Sequence, residues 1–203
     1  MTSPPGASSS RPEDERELVT AARDGDRRAL DRLLRDHQAR IHVVCRRIMG
    51  NDADALDATQ DAMIAVVRGL PRFDGRSRFS TWAYRVVTNT CLDELRRRRR
   101  RPVVGLPEHD GVDIELVDQR QSAVDDQVAD RLLVDRALAE LPGDFRAAVV
   151  LRDLCQLDYA EIATILEIPP GTVRSRIARG RAHLADHLAG NQQRPDHRPT
   201  STP

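Results

Sequence analysis

Between residues 102 and 128 the helical rhythm of this chain stops. Pro102, Gly105, Pro107 and Gly111 interrupt regular backbone there, and seven acidic side chains (Glu108, Asp110, Asp113, Glu115, Asp118, Asp125 and Asp126) face one arginine, Arg120. A segment with a local charge of about −6 and no apolar repeat has little to bury, so it reads as a flexible acidic linker. The chain must then fold on either side of it, as two small units instead of one large core. A hydrophobic content of 39% and an aromatic content of 3% agree with that division, because neither side holds enough large apolar residues for a broad core.

On both sides the period is helical. Before the linker, Leu30, Leu33, Leu34, Ile41, Val44, Cys45 and Ile48 recur at three- and four-residue steps until Gly50-Asn51. Asp52 or Asp54 is expected to cap a next helix, over about 53–68, whose apolar residues are Leu56, Met63, Ile64 and Val67 and which Gly69 and Pro71 stop. A polar loop follows, and a longer helix starts near Ser80 and runs into six consecutive arginines, Arg96 to Arg101. After the linker, four further helical signals lie between about 129 and 189, and no strand-like alternation of any length occurs. The predicted fold class is all-α. Its divisions are a tail and helix start over 1–23, a first domain over 24–101, the linker over 102–128, a second domain over 129–189 and a tail over 190–203. The Ser/Pro-rich ends, 1–12 and 191–203, are expected to be disordered.

Several functional classes are poorly served by this sequence. Cys45, Cys91 and Cys155 are odd in number and far apart, which argues against a disulfide framework or zinc site and for packing thiols in a reducing cytoplasm. The N-terminus lacks an apolar signal-peptide core, and no run of roughly 18 apolar residues is present to span a bilayer. A soluble cytoplasmic protein without membrane insertion is expected. His183 and His187 stand four apart, but no glutamate follows His183, so they read as polar residues near a helix C-terminus and not as metal ligands. No nucleophile or acid/base constellation is evident and no Walker-type loop is present, so no catalytic residue, metal or cofactor is expected.

Two segments carry the chemistry. In the first, residues 158–188, Asp158 and Glu161 resemble a capping box, Ile162, Ile165 and Leu166 form a buried stripe, and Ala163 leaves room for a second helix. Glu167-Ile168-Pro169 makes a short turn, and Pro170 suits the first turn of the following helix. At about 100° per residue, Val173, Ile177, Gly180 and Leu184 share one side of that helix. Ser175, Ala178, Arg179 and Ala182 share the other, with Arg174 and Arg176 flanking it and Thr172 near its start. A surface helix rich in arginine is usually only solvated. Preceded by a capped helix and a tight turn, it reads as a helix-turn-helix, whose arginines fork onto guanine or phosphate in the major groove.

The second segment is residues 73–100, which hold four of the six aromatic residues (Phe73, Phe79, Trp82 and Tyr84) beside the arginine cluster. Scarce aromatics next to arginines are a feature of single-strand binders. Trp82, Arg85, Asn89 and Arg96 fall on one broad face, and the loop Asp74, Gly75, Arg76, Ser77 is polar enough to wrap an extruded base. The competing reading places Trp82 or Phe79 in the core. The formal net charge is zero, so nucleic-acid affinity has to come from such local clusters. All 32 basic residues are arginine, a bias that suits phosphate and base edges and equally reflects a GC-rich genome.

The stretches DALDATQDAMIAVVRGLPRFDGRSRFSTWAYRVVTNTCLDELRRR and ALAELPGDFRAAVVLRDLCQLDYAEIATILEIPPGTVRSRIARGRAHL resemble the extracytoplasmic-function subfamily of sigma-70 factors, and within it the SigM-type factors of actinobacteria. The resemblance covers about 24–101 and 129–189. It implies a promoter-reading subunit of RNA polymerase that binds core polymerase through Asp54, Asp57, Gln60 and Asp61. It implies that Asp74, Arg76, Ser77, Trp82, Arg85, Asn89, Arg96 and Arg97 meet the melted non-template strand of the minus-ten element. Thr172, Arg174, Ser175, Arg176, Ala178 and Arg179 would face duplex DNA at the minus-thirty-five element. The linker would run through core toward the RNA exit path, and an anti-sigma protein is expected to hold the factor inactive. Two positions depart from the family pattern: Glu167 stands where the turn usually has glycine, and Cys155-Gln156 replaces an acidic-Gly pair. A free-standing helix-turn-helix regulator is the alternative; it accounts for 158–188 but not for the acidic helix or residues 73–101.

Overall fold

The computed structural model describes residues 12–100 and 124–192, and all regular structure among them is helical. Residues 101–123, which hold most of the expected acidic linker, and most of both expected tails lie outside the described residues.

The first block contains α1 (Pro12–Arg23), α2 (Arg27–Met49), α3 (Asp52–Gly69), a short 3-10 turn (Leu70–Arg72) and α4 (Phe79–Arg100). Asp26 caps α2 by accepting from the Arg28 and Ala29 amides at 2.8 and 3.3 Å. The α2 stripe expected from the sequence is buried, with Leu33, Ile41, Val44, Cys45 and Ile48 at 2% exposure or less. Gly50 ends the helix in the left-handed conformation, φ 86. The next cap is Asn51, whose Oδ1 accepts from the Asp54 amide at 2.9 Å, and not Asp52 or Asp54 as expected. Those two carboxylates lie in the first turn of α3 instead, where they complement the helix dipole.

The face that α3 buries also differs from expectation. Ala55, Ala58, Ala62 and Val66 point inward, while Leu56, Ile64 and Val67 are exposed at 58%, 48% and 36%. Small residues let α3 lie close to its neighbours, and the large apolar residues are left outside. The helix start expected before residue 24 is α1, which docks Val19 and Ala22 into the cluster formed by Leu33, Val66, Leu70, Phe73, Phe79 and Trp82.

The second block contains α5 (Val124–Glu140), α6 (Gly143–Val149) continued as a π-helical turn (Val150–Leu154), α7 (Tyr159–Leu166) and α8 (Pro170–Gln192). Residues 124–128, assigned to the linker above, are therefore the first turn of α5, and α8 extends past the expected boundary at 190. The capping box forms as read, with the Glu161 amide 2.7 Å from Asp158 Oδ1 and the Asp158 amide 3.0 Å from Glu161 Oε2. On α8, Val173 and Ile177 are buried and Gly180 lies against α6, where an added Cβ would sit 2.6 Å from Val149 Cγ2.

The two departures from the family's glycine pattern fall on the only non-glycine residues with positive φ among those described, Gln156 (φ 56) and Glu167 (φ 55). Each terminates a helical segment, and Ile168 N–H returns to Ala163 O at 3.1 Å beyond Glu167. A side chain there is strained by about 1 kcal/mol relative to glycine. Gln156→Gly/Glu167→Gly should therefore stabilise the second block by about 2 kcal/mol and raise its melting temperature by roughly 8–16 °C. Differential scanning calorimetry of the full chain checks this; an unchanged or lowered transition would contradict it.

The two blocks share a core. Ala147 and Val150 of the second block are buried in one cluster with Ile41, Val44, Cys45, Ile48, Val87, Cys91 and Leu92 of the first. Sequence periodicity treats the blocks as independent; their packing joins them.

Candidate nucleic-acid interface

The helix-turn-helix places α8 with its expected reading face outward. Arg174, Ser175, Ala178, Arg179 and Ala182 are exposed, and Thr172 is half-buried near the helix start. Ser175 Oγ turns back to donate to Thr172 O at 2.9 Å. The arginines of α8 divide into two kinds. Arg176, expected on the flank of the reading face, is half-buried and directed at Asp144, with Nη2 to Oδ2 at 3.5 Å. Arg181 grips Asp153 through its Nε at 3.1 Å. These two fasten α8 to the α6 segment, whereas Arg174 and Arg179 project from it.

Sequence reasoning missed Tyr159, the first residue of α7. Arg152 lies over its ring at 5.0 Å and Arg174 at 5.9 Å from the centroid, so the ring steadies one of the two projecting guanidiniums. The available signal was an aromatic residue at the start of the first helix of the motif.

In the first block, Asp74 to Arg78 form an exposed loop with Gly75 at φ 72, and Asp74 Oδ1 accepts from the Arg76 amide at 3.0 Å. Ser77 and Arg85 are exposed and Asn89 is half-buried. Trp82 does not stand on that surface. Its indole is 9% exposed, 5.1 Å from the Phe73 ring and 5.6 Å from the Phe79 ring, and it belongs to the core. Beyond it, Arg96, Arg97 and Arg100 line a depression of about 470 Å³ together with Asp93. Arg96 reaches Asp93 at 3.0 Å, while Arg98 is held by Glu94 at 2.8 Å and by Asp54. The Arg98 hydrogen bond, with Arg97 beside it, holds the Glu94 carboxyl below its ordinary range. The helix end is thus a row of exposed guanidiniums with carboxylates on one flank.

On α3, Asp57, Gln60 and Asp61 are exposed along one side, flanked by Leu56 and Ile64. Asp54 is answered internally by Arg98. A face that combines free carboxylates with large exposed apolar side chains fits a protein partner with a basic and apolar surface, since a nucleic acid would be repelled by it.

His187 Nδ1 lies 2.9 Å from Glu140, His183 is exposed, and among the described residues no three His, Cys, Asp or Glu side chains are grouped to hold a metal ion. Cys45, Cys91 and Cys155 are all free, and burial pushes the Cys155 thiol up to about 12. No helix among the described residues is long and apolar enough to cross a membrane.

Comparison with known proteins matches both helical blocks. The family described as sigma-70 region 2 matches residues 33–101, and sigma-70 region 4 matches residues 131–184. The ECF RNA polymerase sigma factor SigM of Mycobacterium tuberculosis is 40% identical over 169 residues, 83% of this chain and 82% of that protein. The ECF RNA polymerase sigma-E factor of Escherichia coli is 34% identical over 174 residues, 81% of this chain and 88% of that one. Among solved structures, CnrH in complex with the cytosolic domain of CnrY matches with a TM-score of 0.62 at 24% identity, over 87% of this chain and 98% of that one. The sigma factor RpoE of Bartonella quintana, in complex with the anti-sigma factor NepR, matches with a TM-score of 0.60 at 23% identity, over 78% and 96%. With regions 2 and 4 both matched and relatives at this identity over four-fifths of its length, the chain belongs to the extracytoplasmic-function family of sigma-70 RNA polymerase sigma factors.

Proposed function

We propose that the chain docks on core RNA polymerase through the outer face of α3, reads the minus-thirty-five element with α8, and holds the melted minus-ten strand with α4 and the loop before it. The observation that carries the reading is the α3 face. Asp57, Gln60 and Asp61 lie beside exposed Leu56 and Ile64, on a different block from the helix-turn-helix. A free-standing regulator has no use for such a surface. Arg174 and Arg179 supply the base- and phosphate-reading groups in the major groove, with Ser175 and Ala178 letting the helix approach. Arg76, Ser77, Arg85 and Asn89 surround the single strand, and Arg96, Arg97 and Arg100 hold its phosphates. Trp82 supports this surface from beneath. In this reading promoter opening draws on binding energy alone. An inhibitory protein partner belongs to the reading as well: one structural relative described above was solved with an anti-sigma factor and the other with a cytosolic protein domain.

The test is direct binding of the labelled full chain to purified sigma-free core polymerase. Tight binding is expected, and Asp57→Arg/Asp61→Arg should weaken it on the order of 100-fold, from two interfacial charge pairs at about 1.5 kcal/mol each. Absence of binding by folded protein, beside a reference sigma factor that does bind, sinks the proposal. Dimeric binding to duplex DNA without polymerase would then favour the free-standing regulator.

A further inference from the structure

We propose that α1 positions the loop before α4: Glu15 fixes the imidazole of His37, His37 braces Phe79, and Phe79 with Phe73 pins the two ends of the loop 74–78. The positioning concerns the chain alone, and only its consequence for strand capture rests on the function proposed above for that loop.

The loop has little of its own to hold a shape. Asp74 to Arg78 are all exposed. Within the loop, Asp74 Oδ1 accepts from the Arg76 amide at 3.0 Å, and the ion pair of the same two residues, at 3.4 Å, stands in water with the Arg76 side chain 89% exposed. An ion pair so exposed fixes a backbone weakly. Order therefore has to come from the ends. Phe73 and Phe79, the residues immediately before and after the loop, are each 4% exposed, and their rings meet edge to face with centroids 6.1 Å apart.

A third ring joins them from α2. His37 is 8% exposed, and its imidazole lies 4.9 Å from the Phe79 ring at 66°. Its Nε2 is 2.9 Å from Glu15 Oε1 on α1. A carboxylate only accepts, so Nε2 carries the proton and donates. Burial pulls the His37 pKa below its ordinary value, with Arg40 assisting and Glu15 and Asp36 opposing. An apolar side chain would fill the same place without desolvating a polar ring; the bond to Glu15 adds a direction that packing alone lacks. Val19 and Ala22 of α1 are buried in the cluster that holds Phe73 and Phe79, so Glu15 stands on a helix already seated there. A loop held in its binding conformation spends less on ordering when a strand arrives. If the loosened loop keeps that conformation about a tenth of the time, affinity falls roughly tenfold.

The test is hydrogen–deuterium exchange in the full chain at the amides of Phe73, Arg76 and Trp82, which donate to Leu70 O, Asp74 Oδ1 and Arg78 O. Glu15→Ala deletes the acceptor at a partly exposed position, and His37→Gln keeps a donor for Glu15 but removes the ring. Each should speed exchange at those amides roughly tenfold while α3 exchanges as in wild type. Glu15→Gln, which retains an acceptor, should exchange as wild type, and Glu15→Ala/His37→Gln should lose no more than either single variant. Circular dichroism shows which variants are folded, and folded Glu15→Ala decides by itself. Bound to core polymerase, the loosened variants should hold a single-stranded oligonucleotide, selected from a random pool by the wild-type complex, roughly tenfold more weakly, with affinity for core unchanged. Wild-type exchange at the loop in folded Glu15→Ala, or equal acceleration throughout the first block, overturns the positioning. A loosened loop with undiminished strand affinity overturns its role in capture. A wild-type complex that selects no strand leaves the positioning standing and removes the proposed function of the loop instead.

Discussion

Arg146→Met is expected to unfold the second block at a urea concentration at which the first is still folded. Arg146 is 7% exposed and closes two helix ends at once. Its Nη2 donates to Ala139 O and Leu141 O, both at 2.9 Å, at the end of α5, and its Nη1 donates to Ile48 O near the end of α2. Helix C-termini leave carbonyls without partners and carry negative partial charge, so one guanidinium answers both needs. Burial pulls its pKa below the usual guanidinium value, which marks the desolvation that these bonds offset. Methionine keeps the packing and deletes every donor. Three carbonyls, two of them in buried bonds, then lose a charged partner, a change of roughly 3–5 kcal/mol out of a typical domain stability of about 5–15. Circular dichroism follows all the helices, whereas the single tryptophan, Trp82, reports the first block alone. The two curves should separate in Arg146→Met, with the dichroism falling first. Arg146→Lys should lie between, because an ammonium cannot span three carbonyls in fork geometry. A midpoint for Arg146→Met within about 1 kcal/mol of wild type would show that water replaces the guanidinium.

Why the sequence misses Arg146 is instructive. Its partners are main-chain oxygens, one of them 98 positions away, and no residue pattern encodes where a carbonyl will point. The same holds for Asp135 and Arg46, separated by 89 positions and placed in different blocks. Local chemistry was legible: the Asp158–Glu161 capping box, the Gly50 terminus and the inward and outward faces of α8 depend on neighbours within a turn or two. The strained turns were legible for a related reason. Glu167 and Gln156 stand where the family keeps glycine, and both have positive φ. Competition between near-equal local signals misled at α3. Asn51 won the cap from two nearby aspartates, and alanines won the core face from larger apolar residues, because a closely packed helix favours small side chains inside. Those displaced residues, Leu56 and Ile64, then became part of the candidate polymerase surface. On α8, four arginines look alike in sequence; only the position of Asp144 and Asp153 separates the two that fasten the helix from the two that project.

Trp82 draws that line between stability and function most sharply, and Trp82→Ala should register as a stability change. Its ring is wedged between Phe73 and Phe79, and an added Cβ on Gly69 would lie 3.0 Å from its Cζ2, so the end of α3 is cut back to admit the indole. Truncating a buried tryptophan to alanine costs about 3–5 kcal/mol, through lost contact and the cavity left behind. For a block of this size that lowers the melting temperature by roughly 12 °C or more, followed by circular dichroism because the fluorescent probe is gone. Trp82→Phe refills part of the space and should recover more than half of the loss. Removing an exposed stacking platform would behave in the opposite way, leaving stability within about 0.5 kcal/mol while weakening single-strand binding by about 1–3 kcal/mol. Arg96→Ala/Arg97→Ala provides the matching control. Both side chains are exposed at 56% and 61%, so the double variant should melt as wild type and lose salt-dependent affinity for the minus-ten strand. A Trp82→Ala protein that melts within roughly 2 °C of wild type yet loses the strand would mean that the indole leaves the core when DNA binds, and that the cluster with Phe73 and Phe79 is a closed state of the reading surface.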